Sequence, residues 1–377
     1  MLKRIPLVFC LVAAPAAAGA ACDTALSGLR NQIDAGSVPM MRLALDRLDA
    51  EGCNRPTQRA AARRVAGAMA RQAQGHIREG RLDQAQEILR QVPALHWLVQ
   101  SSRADIAMAR GQHGEAANLY NDALDTLSDP ALTVQRRELV PVIRTIAQLA
   151  QENMMLAGTM SATLSPRGEP SGLMGVLQRG IKQEKVPVAA APVVGAETVD
   201  RAEPEVADAG GAQDRHDTAE LETEPRQDAA DHLTDQAGHL ASPPREPVFS
   251  AAAEAARTLP GFYLPVQFEF DSDRLDPSGV REASALAAFL HKLEIHSFTL
   301  VGHTDEVGSA SYNLDLSLRR ARTVRAFLVS QGIHARIHVE GRGEGDPPEL
   351  KGVALYNDEQ RRAIARRVEL VVPKNAF

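Results

Sequence analysis

The sequence predicts an α+β protein in three parts, and three observations carry that reading. From Cys22 to about Leu156, apolar residues recur three and four apart, the period of packed helices. From about Ser161 to Arg257, Ala, Pro, Asp and Glu take over and aromatic residues nearly vanish. From Tyr263 onward, short alternating runs trade places with helical runs, which predicts a mixed sheet with helices packed on one face. The expected layout is an export signal over 1–20 and an all-α, repeat-like domain over 21–158. An acidic Ala/Pro-rich linker, mostly disordered, follows over 159–260, then a βαβαβαβ domain over 261–377.

The first residues read as an export signal. Lys3 and Arg4 supply positive charge, Ile5 to Ala14 is apolar, and Pro15 breaks the run. Ala18-Gly19-Ala20 offers the small residues a signal peptidase reads, so a cut after Ala20 is expected. The apolar run is too short, and too interrupted by Pro6 and Pro15, to span a bilayer.

Cys10 would leave with the signal. The remaining pair, Cys22 and Cys53, suits one disulfide in an oxidising compartment. The rival reading makes Cys22 a lipidated N-terminus. Against it, Gly19 stands where a lipobox usually carries leucine, and Cys53 would be left unpaired.

Within the helical part, Gly80-Arg81-Leu82-Asp83-Gln84-Ala85 opens one helix. Gly111-Gln112-His113-Gly114-Glu115-Ala116 opens another 31 residues later. Between them Trp97 to Arg110 is helical in period, and Val140 to Met155 reads as a closing helix. Short helix, glycine turn, then a second helix with an early alanine is a helical-hairpin layout. The segment resembles tetratricopeptide repeats, with a period of 31 where that family uses about 34.

Between Ala191 and Ser250, fourteen Asp or Glu face four Arg, so the linker carries about −10 against −6 for the whole chain. Such a stretch repels itself and is expected to be an extended tether, most simply a spacer. One piece, Gly175 to Val188, has strand-like content and is expected to dock on a folded domain. The modest net charge gives no reason to expect a nucleic-acid partner.

In the last part, Tyr263 to Asp271 alternates around Val266, Phe268 and Phe270 and reads as a half-buried strand. Pro277 to Leu290 reads as a helix capped by Asp276. Phe298 to Gly302, Ala335 to Gly341 and Arg367 to Val372 read as strands, Tyr312 to Ser330 as a long helix, and Gln360 to Ala365 as the end of a last helix.

Four separated blocks then point one way. They are FEFDSDRLDPSG, VGHTDEVGSASYNLDLSLRRARTVRAFLVSQGI, GRGEGDPP and RRVELVV. In order and spacing they resemble the OmpA-like C-terminal domain, over about 115 residues. The resemblance implies non-covalent binding of peptidoglycan through the diaminopimelate of its stem peptide, with no catalytic residue and no cofactor. That ligand carries an ammonium and a carboxylate on one carbon, so its site needs an anion and a forked cation close together. By resemblance these are Asp305 and Arg320, with Asn313 beside them, Thr304 and Gly308 shaping the loop, and Arg366 from the closing block.

Asn313 lies seven residues before Arg320, on the same flank of the long helix. Leu314, Leu318, Ala321, Val324 and Leu328 are expected as its core stripe. The closing block departs from the family pattern: Ala365 stands for its asparagine and Arg361 for its glycine, so the loop near Arg366 is expected to be set differently.

His303, Asp305 and Ser317 invite a hydrolase reading, but Ser317 sits in a helix with no nucleophile elbow around it. His303 has no second His or Cys at ligand spacing, so no metal is expected. The remaining arginines of the long helix, such as Arg322, read as a solvated face.

The expected protein is thus periplasmic, associated with the wall and outer membrane of a Gram-negative bacterium. Its helical region would bind an unknown protein partner, and the membrane is met only indirectly or through a lipid. The absent β-barrel pattern separates it from the namesake porin. Its rivals are a lipoprotein adaptor working mainly through the helical region and a peptidoglycan-processing enzyme.

Overall fold

The computed structural model describes residues 15–160, 172–184, 250–259, 261–293 and 295–372. Seven helices open the chain: α1 (Pro15–Ala35), α2 (Val38–Ala50), α3 (Arg55–Arg78), α4 (Leu82–Arg90), α5 (Trp97–Ala109), α6 (His113–Ser128) and α7 (Leu139–Ala157). α3 starts on Asn54, whose side chain accepts from the Thr57 amide, with Pro56 in the first turn.

The α3–α4 and α5–α6 hairpins close alike. Gly80 and Gly111 hold φ of 73° and 74°, a region glycine enters without a Cβ penalty. After each, an amide reaches back five residues, Arg81 to the His76 carbonyl at 2.8 Å and Gln112 to the Ala107 carbonyl at 2.9 Å. Ala85 and Ala116, the small residues expected at the contacts, are fully buried.

Cys22 and Cys53 form the expected disulfide, with Cα atoms 5.2 Å apart. It ties α1 to the turn before α3 and leaves Cys22 no thiol for a lipid.

After α8 (Gly172–Glu184) and α9 (Ala251–Thr258) come β1 (Phe262–Leu264), α10 (Pro277–Leu290), β2 (Ser297–His303), α11 (Ala310–Ser330), β3 (Arg336–Gly343), α12 (Asp358–Ala365) and β4 (Val368–Val371). The sheet order is β1-β4-β2-β3. β2 and β3 run parallel, and β4 is antiparallel to β1 and β2, which gives the expected mixed sheet. α10 has the expected bounds, and Asp276 caps it by accepting from the Gly279 amide at 2.6 Å.

Two local expectations are corrected. The strand over Tyr263 to Asp271 does not form as one piece. Pairing stops at Leu264, before Pro265, which has no amide to donate. Beyond it, Phe268 only bridges to Leu275, and Phe270 is fully exposed.

The core stripe of α11 holds at Ala321, Val324 and Leu328 but is rotated over the first half of the helix. Leu314 is 52% exposed and Leu318 half-buried, while Leu316, Ser317, Arg320, Ala321, Val324 and Leu328 are buried. The sheet decides this, because Gly302 of β2 and Gly341 of β3 let the α11 backbone approach at Ser317 and Leu318.

The larger correction concerns the division into bodies. One apolar cluster takes Ala104, Tyr120, Ile143 and Met154 from the helical region together with Phe262, Phe298, Leu300 and Val368 from the sheet region. α7 packs on β1 and α12, and all described residues fall in one compact unit.

Part of the expected linker belongs to this unit. α8 packs on α6, α9 on α7, and α8 and α9 on each other. The expectation of strand-like structure from Gly175 is replaced by α8. Residues 161–171 and 185–249, most of the acidic stretch, lie outside the described residues, as does the start of the expected signal. The spacer reading falls on those residues.

Candidate functional site

Where β2 ends, the chain crosses to α11 through Thr304 to Ser309. The cleft beside this loop has a volume of about 690 Å³. Thr304, Asp305, Asn313, Arg320 and Arg366, five of the six residues expected from sequence, line it. Gly308 bounds the loop at a φ of 115°, and its position is packed near Asn313.

Asn313 is fully buried and braces the loop, donating to the carbonyls of Asp305 and Val307 at 3.3 Å each and to the Glu344 carboxylate. Thr304 is held by its amide, which donates to the Gly343 carbonyl at 2.9 Å. Its hydroxyl is buried with no hydrogen-bond partner among the described residues.

Arg320 is 9% exposed. Its guanidinium lies over the Phe268 ring at 5.1 Å, and its Nε donates to the Ser272 carbonyl at 3.0 Å. Neither terminal nitrogen has a protein hydrogen bond among the described residues. Burial pushes its pKa below the usual arginine value, the charge of Arg366 adds to that, and Asp305 opposes it. An arginine stays charged throughout the physiological range.

Asp305 was expected to face Arg320. Its direct partner is Arg366, whose guanidinium donates to Asp305 Oδ2 at 2.6 Å and to Glu359 at 2.8 Å. The other Asp305 oxygen accepts from the Val307 amide at 3.2 Å. Burial works against the charged form of Arg366, but its bonds to Glu359 and Asp305 outweigh that and raise its pKa. The substitutions at Ala365 and Arg361 therefore leave Arg366 in the site.

Within the cleft, Asp305 is a carboxylate already half neutralised by Arg366, and Arg320 is a buried cation with a free fork. That arrangement suits a small group carrying both signs of charge, and nothing in it activates a nucleophile. Ser317 donates to the Leu314 carbonyl and accepts from the Gly343 amide, so its hydroxyl is spent on backbone. His303 is buried with Nε2 3.2 Å from Glu369. Among the described residues no group of three or more His, Cys, Asp or Glu could hold a metal.

Residues 267–361 match the sequence pattern of the OmpA family. The peptidoglycan-associated lipoprotein of Pseudomonas putida is 41% identical over 123 residues, which are 32% of this chain and 68% of that protein. The chain belongs to the OmpA family.

Outer membrane protein A of Bordetella avium is 34% identical over 129 residues, 34% of this chain, and the chain spans only 63% of that relative's length. The crystal structure of the peptidoglycan-associated lipoprotein from Burkholderia pseudomallei shares 30% identity, covering 29% of this chain and 88% of that one, at a TM-score of 0.24. The chain belongs to the Gram-negative envelope, in the periplasm and associated with the outer membrane.

Sequence reasoning missed part of the OmpA-family cleft. Phe268 and Phe270 were assigned to a strand, yet both line it, as do Asp271, Tyr312, Glu359 and Arg362. The tell-tale was Pro265, which forbids a long strand and frees the FEFD segment to turn. Tyr312 donates its hydroxyl to Asp271 at 2.6 Å, closing that side. Met155 of α7 also lines the cleft, and no local pattern could place it there.

Proposed function

We propose that this cleft binds peptidoglycan non-covalently at the diaminopimelate of the stem peptide and so anchors an envelope protein to the wall. The observation that carries the reading is Arg320, a buried guanidinium with its fork unoccupied, beside the Asp305 carboxylate. The relatives' association with peptidoglycan, by name, agrees with it. In this reading Arg320 takes the ligand carboxylate through two parallel bonds and Asp305 takes the ammonium. Asn313, Thr304 and Gly308 hold the loop, and Arg366 fixes Asp305.

Residues 1–20 would direct export. The helical region, with its two like hairpins, would serve as a tetratricopeptide-like surface for a protein partner.

Binding strips water from both ligand charges, and each must meet an opposite charge for that cost to be recovered. Removing one partner costs roughly 2–5 kcal/mol in comparable interfaces. That is about thirtyfold or more in affinity. Asp305→Ala and Arg320→Ala should each abolish co-sedimentation of the full chain with purified diaminopimelate-type wall, with the circular dichroism spectrum unchanged. Arg320→Lys should fail as well, since a point charge cannot make the fork. The exposed Arg322→Ala should behave as native. If both alanine variants sediment as well as the native chain, the assignment is wrong.

A further inference from the structure

α7 carries three consecutive polar side chains, Gln151, Glu152 and Asn153, each 2% exposed or less. A helix that buries three such neighbours needs partners for all of them, and every partner set here reaches the sheet region. Gln151 accepts from the Tyr263 amide of β1 at 2.7 Å. The Glu152 carboxylate accepts from the Lys351 and Gly352 amides at 2.6 and 2.9 Å. Asn153 donates to the Tyr356 hydroxyl at 3.3 Å and to the Leu149 carbonyl, so its oxygen is turned to His113, 2.8 Å away.

The chain of bonds continues to α12. Gln360 uses its oxygen to accept from the Asn357 amide in the capping box of α12, which turns its amide nitrogen to His113 Nε2 at 2.9 Å. His113 therefore donates from Nδ1 to Asn153 and accepts at Nε2 from Gln360. α12 is only eight residues long, and it supplies Glu359, Arg362 and Ala363 to the cleft and leads directly into Arg366. Met155, one half-turn beyond Asn153, lies in the cleft itself.

We infer that Asn153 and His113 are positioning residues for the wall-binding cleft. The helical region sets the Arg366 side of the site, so wall affinity in this protein belongs to both halves of the chain. This rests on the binding reading above. Neither residue touches the ligand; they act by fixing where α12 delivers the Arg366 guanidinium to Asp305.

The test uses the full chain and sacculi purified from a diaminopimelate-type wall, with affinity taken from sedimentation isotherms. Asn153→Ala and His113→Ala should each weaken binding about tenfold. His113→Gln, which can still donate and accept, should recover most of it. In an Arg366→Ala background the same two substitutions should change affinity less than twofold, because their target is gone, although they still lower the melting temperature as before. That loss of additivity is what a merely structural role would not produce.

Native affinity in Asn153→Ala and His113→Ala, with Asp305→Ala inactive, overturns the inference and leaves the binding reading standing. Equal losses with and without Arg366 overturn it too. Binding by Asp305→Ala would instead remove the reading beneath it.

Discussion

A methyl group on Gly302 would sit 2.0 Å from the main-chain oxygen of Ser317. Backbone cannot give way as a flexible side chain can, so α11 would have to lift off β2. Gly302→Ala should therefore cost about 3 kcal/mol or more, at the upper end of overpacking penalties. Because α11 carries Asn313 and Arg320, retention by the wall should fall as well. Urea unfolding measures the first effect and co-sedimentation the second. A Gly302→Ala chain of native stability would mean that the helix does not rest on this strand. Arg366 is likewise placed by backbone. Its flanking residues depart from the family pattern, yet it reaches Asp305, because the end of α12 rather than its neighbours' side chains sets its course.

Among the elements, α1 is tied to the turn before α3 by a covalent bond. The disulfide closes a separation of 31 residues around α2. Loop-closure entropy for that length corresponds to about 3–4 kcal/mol. The pair Cys22→Ser and Cys53→Ser should lose stability on that scale, and addition of dithiothreitol to the native chain should reproduce the loss. Mass mapping without reductant should recover the two cysteines in one linked peptide pair. A native melting curve for the double variant would show that the small cluster of Leu29, Met41, Leu48, Val65 and Met69 holds α1 and α2 unaided. Wall binding should change little, since these helices lie in a cluster separate from the one beneath the cleft.

For the whole molecule, the shared core predicts joint unfolding. Two domains on a tether would melt independently. Here α7 is packed on β1 and α12, and three buried polar side chains of α7 bind the sheet region. Calorimetry of the full chain should show α3–α7 and the sheet region melting in one transition, with calorimetric and van't Hoff enthalpies in agreement. Glu152→Ala leaves the Lys351 and Gly352 amides without partners, a loss of roughly 1–3 kcal/mol for each buried group. It should lower that transition as a whole. Two separated transitions in the native chain would show that the contact between the regions is too weak to couple them.

The sequence alone determined what is local or periodic. Pro277 and Asp276 fixed α10 to the residue, Gly80 and Gly111 marked both hairpin turns, and cysteine parity gave the pairing. Five cleft residues were legible because the blocks that carry them keep family order and spacing. The tertiary structure decided what depends on residues far apart in the chain. Apolar alternation in FEFD looked like a strand, and only the missing donor at Pro265 and the lack of a partner strand made it a turn. The stripe of α11 read correctly at Ala321, Val324 and Leu328 and missed at Leu314 and Leu318, where glycines on two strands bring the helix in on Ser317. The acidic composition around 185–249 suggested separation, while α8 and α9 on either side of it pack together. Gln151, Glu152 and Asn153 look in sequence like one turn of solvated helix. Gln151 and Glu152 meet amides about 110 to 200 residues away, and Asn153 meets the Tyr356 hydroxyl; burial against those partners is a property of the folded chain that no local period encodes.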